Sequence, residues 1–214
     1  MAIDPPPDPA PRTGLRERKK QATRDALTWA ALRLAQERGL ENVRVEDIAA
    51  EAGVSPRTFN NYFSSKYEAI VSRQGDRVRQ SAAELRARPA DEPLWTAVVH
   101  AALAPYGVSE RIPDPEWTAG VRLLLGEPAL QSELLRVSAA AGAEFTAAVA
   151  ERTGTDARHD LYPGLLAAAV LAAQQTAQEQ WLRADPPVPL LPLMRAALHL
   201  LADGLPDPSA GRTG

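Results

Sequence analysis

A chain of 214 residues, 45% of them hydrophobic, is long enough for one larger domain or two small ones. It has no cysteine, which excludes disulfides, thiolate metal sites and cysteine nucleophiles. The net charge of −3 hides an asymmetry: residues 1–80 hold 14 Lys/Arg against 11 Asp/Glu, whereas residues 81–214 hold 10 against 16. A basic head on an acidic body directs the head toward a polyanion, although a solvated charged face would carry the same residues.

The first 14 residues contain five prolines and read as a disordered arm with no apolar core of a secretory signal. No stretch approaches the apolar length of a membrane span, so a soluble, cytoplasmic protein without a membrane partner is expected. From Leu15 a helical period sets in. Ala22, Ala26, Ala30 and Leu34 recur at i+4 with Leu27 and Ala31 beside them, and Arg16, Lys20 and Arg24 form a second, basic row. Arg12, Arg18 and Lys19 add to that basic segment, and Gly39 stops the first helix at about residue 38.

Val45, Ile48, Ala49 and Ala52 mark a short second helix ending at Gly53. Ser55 as N-cap and Pro56 at the first helical position start a third. Two short helices joined at Gly53-Val54-Ser55 make a helix-turn-helix. Phe59 and Phe63, four apart, anchor the third helix, which leaves Arg57, Thr58, Asn60 and Asn61 toward the opposite face or its flanks. These types suit base edges: arginine forks onto guanine, asparagine pairs with adenine and the threonine methyl meets thymine. Ser55, Tyr62 and Lys66 stand where phosphates would be held. A polar surface helix with ordinary caps would look similar in isolation.

After Lys66 the chain reads as helix throughout, with divisions near 66–87, 93–106, 115–125, 128–152, 157–184 and 190–203. There is no alternating β-branched run, no phosphate-cradling glycine motif and no internal repeat. The expectation is an all-α protein: an arm (1–14), a three-helix helix-turn-helix domain (15–66), a six-helix ligand-binding and dimerisation domain (67–205) and a disordered tail (206–214).

Residues 15–67 resemble the DNA-binding domain of the TetR family of transcriptional regulators. The resemblance rests on the opening R-x-R-K-K-x-x-T-R-x-A-L at Arg16–Leu27, the bend Gly39-Leu40-Glu41, I-A-x-x-A-G-V-S at Ile48–Ser55 and T-x-x-x-Y-F-x-x-K at Thr58–Lys66. It implies an all-helical homodimer whose third helix enters the major groove of an operator duplex, and whose C-terminal domain releases the DNA when a small effector binds. By position, Arg57, Thr58, Asn60 and Asn61 would face bases, and Arg44, Ser55, Tyr62 and Lys66 would hold phosphates. Two positions depart from the family pattern: Arg44 stands where a Ser or Thr usually caps the second helix, and Asn60-Asn61 where an aromatic is frequent.

For dimerisation, Leu166, Val170, Ala173 and Ala177 form one stripe, and Leu191, Met194, Leu198 and Leu201 another. Two such helices per subunit would build a four-helix interface, or else complete the subunit's own core. For the effector, His100, Trp117, Arg122 and Gln174 are the candidate contacts, each also explicable as a surface residue or a satisfied core residue. The run Trp117–Glu133 resembles members with acyl-CoA-like effectors, which implies a lipophilic ligand and a phosphate or carboxylate at Arg122. No catalytic residue, metal site or cofactor is expected: the three histidines, His100, His159 and His199, show no zinc-binding spacing. The competing reading is a helical enzyme or sensor whose head binds a protein partner.

Overall fold

The computed structural model describes residues 13–107, 112 and 114–207, and these form helices and turns without a strand. The helices are α1 (Thr13–Arg38), α2 (Val45–Glu51), α3 (Pro56–Asn60), α4 (Lys66–Ala87), α5 (Leu94–Leu103), α6 (Pro115–Leu125), α7 (Pro128–Thr153), α8 (Leu161–Arg183) and α9 (Leu190–Ala202). The chain divides into two compact units after Ile70. Most of the proline arm and the tail from residue 208 lie outside the described residues.

In the first unit, α1 packs on α2 and α2 on α3. The buried face of α1 is Leu27, Ala30, Ala31, Leu34 and Ala35, joined by Ile48, Ala49, Phe59 and Phe63. Ala22 and Ala26, expected on that face, are both exposed, and the buried face of α1 begins at Leu27. The first turns of α1, with Arg16, Arg18, Lys19 and Lys20 exposed, extend past the core they would have packed against. At Gly39 and Gly53 the backbone takes φ of +79° and +69°, left-handed values that a side chain opposes.

In the second unit, α8 packs most extensively on α9 and α7. The core is built from small and medium side chains, among them Val78, Leu85, Val98, Phe145, Val170 and Leu198. Alanines such as Ala97, Ala101, Ala148 and Ala167 let the helices approach closely. Arg152 of α7 closes the end of α4, donating to the carbonyls of Pro89 (2.7 Å) and Glu92 (2.8 Å). α8 starts at Leu161 rather than 157 because Asp156 first makes a turn, accepting from the N–H groups of Arg158 (2.7 Å) and His159 (3.0 Å). Those N–H groups hold the Asp156 carboxyl below its ordinary range. His159 pairs with Asp156, not with its neighbour Asp160.

Candidate nucleic-acid interface and ligand cavity

The helix-turn-helix is fixed by a short set of bonds. The Val54 N–H donates to Ala49 O (2.9 Å) and the Gly53 N–H to Ala50 O (3.0 Å), which ends α2 and turns the chain. Ser55 then caps α3: its Oγ accepts from the Thr58 N–H at 3.1 Å and lies 2.9 Å from Thr58 Oγ1. At the start of α2 the Arg44 guanidinium has no acceptor to offer, and only half of a capping box forms, with Asp47 Oδ2 accepting from the Arg44 N–H at 3.1 Å.

Phe59 and Phe63 are buried with ring centroids 5.7 Å apart and bolt α3 to the unit. Arg24 of α1 reinforces the joint: its guanidinium lies 4.5 Å from the Phe63 ring centroid and donates to Tyr62 O at 3.3 Å. The i+4 row gives no sign of this, since Arg24 reads there as one more exposed cation. With the inner face filled, Arg57, Asn60 and Asn61 are exposed and Thr58 is half-buried, its hydroxyl already engaged by the cap. Four side chains of base-reading type thus sit on or at the end of one five-residue helix.

Among the residues expected at phosphates, Arg44 and Ser55 are exposed and Tyr62 is half-buried. Lys66 also serves the fold from within. Its Nζ donates to the carbonyls of Leu40 (2.8 Å) and Val43 (2.9 Å), tying the start of α4 to the bend after α1. An ammonium has three donors, so one remains for a phosphate.

The second unit contains a cavity of about 450 Å³ between the end of α6, the start of α7 and the last turns of α8. Leu125, Leu134, Leu135 and Leu182 give it apolar walls, and Arg122, Gln131, Gln175, Gln178, Glu179 and Arg183 provide the polar groups. Arg122 donates to Leu182 O at 3.3 Å, while Arg183 pairs with Glu179 at 2.9 Å. Gln178 links the cavity wall to the interior, donating to the Tyr106 hydroxyl at 3.0 Å and to Gln74 Oε1 at 3.4 Å. The Arg77 guanidinium lies 4.7 Å from the Tyr106 ring centroid. Burial pushes the Tyr106 phenol up, against the opposing pull of Arg77 and Gln178.

Of the four expected effector residues only Arg122 lines this cavity. His100 is on the surface, and Gln174, 3% exposed, spends its amide on Ala102 O at 3.0 Å as a satisfied core group. Trp117 packs edge-on against Trp181, whose indole Nε1 is buried without a hydrogen-bond partner. Spacing does not single out the three glutamines or Arg183, because their helical positions match any solvated face.

The residues of the expected dimer stripes lie in or against the core of the second unit. Leu166, Val170, Ala177, Leu191, Met194 and Leu198 are buried within the chain itself, and Ala173 and Leu201 pack against the same core. Helical geometry places the other face of α8 outward, and there Leu161 and Leu165 stand 89% and 69% exposed, with Ala168 and Ala172 between them and the cavity rim. Exposed Leu200 of α9 belongs to the same class of uncovered apolar residue. Among the described residues no helix is long and apolar enough to cross a membrane, and no cluster of His, Asp and Glu could hold a metal ion.

Residues 27–70 match the family described as Bacterial regulatory proteins, tetR family, and residues 92–206 match the MftR C-terminal domain. The HTH-type transcriptional regulator TcmR of Streptomyces glaucescens is 34% identical, over 80% of this chain and 79% of that one. Among solved structures, the fatty acid degradation regulator FadR of Bacillus halodurans aligns with a TM-score of 0.53 at 19% identity, covering 86% of this chain and 96% of that one. NalD of Pseudomonas aeruginosa, the secondary repressor of the MexAB-OprM multidrug efflux pump, aligns with a TM-score of 0.52 at 20% identity, covering 87% and 97%. At these identities the two structures speak for the fold alone.

Proposed function

Because the chain belongs to the TetR family of transcriptional regulators, which are DNA-binding regulators and not enzymes, we propose that it is an effector-responsive repressor binding a palindromic operator as a homodimer in the cytoplasm. The observation that carries this reading is α3 with the turn after it: Phe59 and Phe63 are buried, while Arg57, Asn60 and Asn61 are left exposed. Base readout explains such a surface, and the exposed basic turns of α1 supply sequence-independent attraction to the duplex.

A five-residue helix reads few base pairs. A two-fold pair of heads doubles the site and gives the operator its palindromic form. The uncovered face of α8, with Leu161 and Leu165, is the surface by which two copies associate. The effector is a small, largely apolar molecule with an anionic group. Its body packs on Leu125, Leu134 and Leu182, its charge meets Arg122, and an acyl-CoA-like ligand is the preferred class.

Selection of bound duplexes from a random pool tests this directly. The wild-type chain should enrich an inverted repeat with half-sites about one helical turn apart. Asn61→Ala should still enrich it with relaxed preference at one position per half-site, equivalent to about 1–3 kcal/mol. Enrichment of no motif by the wild-type chain would refute the regulator reading.

A further inference from the structure

The side of α1 that packs the core continues past the core as a row of cations. At about 100° per residue, Arg16, Lys20 and Arg24 point within about 50° of the mean direction of buried Leu27, Ala30, Ala31, Leu34 and Ala35. On this one side α1 is therefore apolar from Leu27 onward and cationic before it. Arg24 fixes where the row points, because its guanidinium lies over the Phe63 ring and donates to Tyr62 O, just past the end of α3. Lys20 and Arg16 follow about 6 and 12 Å farther along the axis, and both are exposed. Among the described residues of α1, Leu27 is the first to be buried, so these turns stand clear of the core. Their acids do not cancel the row: Asp25 faces away and accepts from Gln21 Nε2 at 2.9 Å, and Glu17 stands on the flank.

We infer that Arg16 and Lys20 form a second DNA-contact site, which grips phosphates of duplex lying outside the base pairs read by α3, on the side of Asn61 and Tyr62. The inference rests on the operator-binding reading above and deepens it: the attraction of the basic turns is concentrated in one row. Charge selects the occupant, since an uncovered helix face of cations beside a base-reading helix meets the phosphodiester backbone of the same duplex. One strand carries a phosphate every ~3.4 Å of duplex axis, so the row's reach of about 12 Å matches three or four nucleotides. A cation at each turn holds phosphates without reading bases, so the flank is needed in any sequence. Arg18 projects from the opposite side of α1, where its Nε donates to Gly14 O at 3.0 Å, and Lys19 lies about 90° from the core direction. Neither belongs to the row.

The test measures fluorescence anisotropy of the full chain on two duplexes: the repeat that the wild type enriches from a random pool, trimmed to its outermost base pairs, and the same repeat with about eight arbitrary base pairs added at each end. The flanks should tighten wild-type binding at least about tenfold at low salt, whatever their sequence. Arg16→Gln/Lys20→Gln should lose that gain, and its slope of log affinity against log salt should flatten by about 0.9 per phosphate contact removed. Its preference for the repeat over a shuffled duplex should stay at the wild-type ratio. Arg18→Gln removes the same charge from the other side of α1 and should keep the gain. Glutamine preserves helix propensity, and if the double variant does not melt like the wild type, Arg16→Gln and Lys20→Gln made singly should each lose part of the gain. No gain from the flanks in the wild type, or equal losses in Arg16→Gln and Arg18→Gln, overturns the flank site and leaves the regulator reading intact, because the repeat is still preferred. If the wild type enriches no repeat, the operator reading fails and the flank site with it.

Discussion

Lys66 is a structural tie as well as a candidate phosphate contact. Its ammonium satisfies two backbone carbonyls at the bend between α1 and α2, so its removal leaves both without that partner. Lys66→Met should therefore lower thermal stability, by about 1–3 kcal/mol, in addition to weakening DNA binding. A loss of DNA affinity with an unchanged melt would show that the internal bonds contribute nothing. Tyr106 makes a prediction of the opposite kind, in pH. Its phenol is raised by burial, so the folded chain holds the proton longer than the unfolded one. Below the ordinary tyrosine range (about 10) both states are protonated and stability is unaffected. As pH climbs past that range the unfolded chain ionises first, and stability falls until the folded phenol itself ionises. Denaturant titrations at rising alkaline pH should show this decline in the wild type and a shallower one in Tyr106→Phe.

At the scale of elements, the turn between α2 and α3 depends on one backbone conformation. Gly53 sits at φ +69° with no atom within 4 Å of where a Cβ would stand. Gly53→Ala thus meets no clash, only the left-handed strain, and should cost about 1–2 kcal/mol in a denaturant melt. A neutral substitution would contradict the turn geometry. This element is legible in the sequence because its signals are local: Gly53, Ser55 and Pro56 act through bonds to residues within four or five positions. The divisions at α4 and α6 are legible for the same reason. α8 is not. Its sequence is apolar nearly all round, so periodicity yields a stripe, Leu166 to Ala177, without saying which side of the helix meets the subunit and which meets a partner. Only the packing of α7 and α9 against it decides, and it assigns that stripe to the core. The internal roles of Arg24 and Lys66 are hidden for a related reason: a cation whose partner is a ring or carbonyl 20 or more residues away leaves no mark in spacing.

For the whole molecule, charge is unevenly divided along the chain. The basic segment of α1 adjoins the helix-turn-helix in sequence, while the acidic excess lies in the residues of the second unit. Under the proposed function, phosphate attraction would supply most of the non-specific affinity and α3 the discrimination. The two contributions respond differently to salt: counterion release makes affinity fall steeply for every duplex, whereas the ratio between a true site and a random one is set by base contacts. The most direct test is fluorescence anisotropy of the full chain on the duplex upstream of its own gene and on a shuffled duplex, from low to physiological salt. Both affinities should fall with salt while the upstream duplex stays at least about a thousandfold tighter at physiological salt. Equal affinity for the two duplexes at every salt concentration would contradict it.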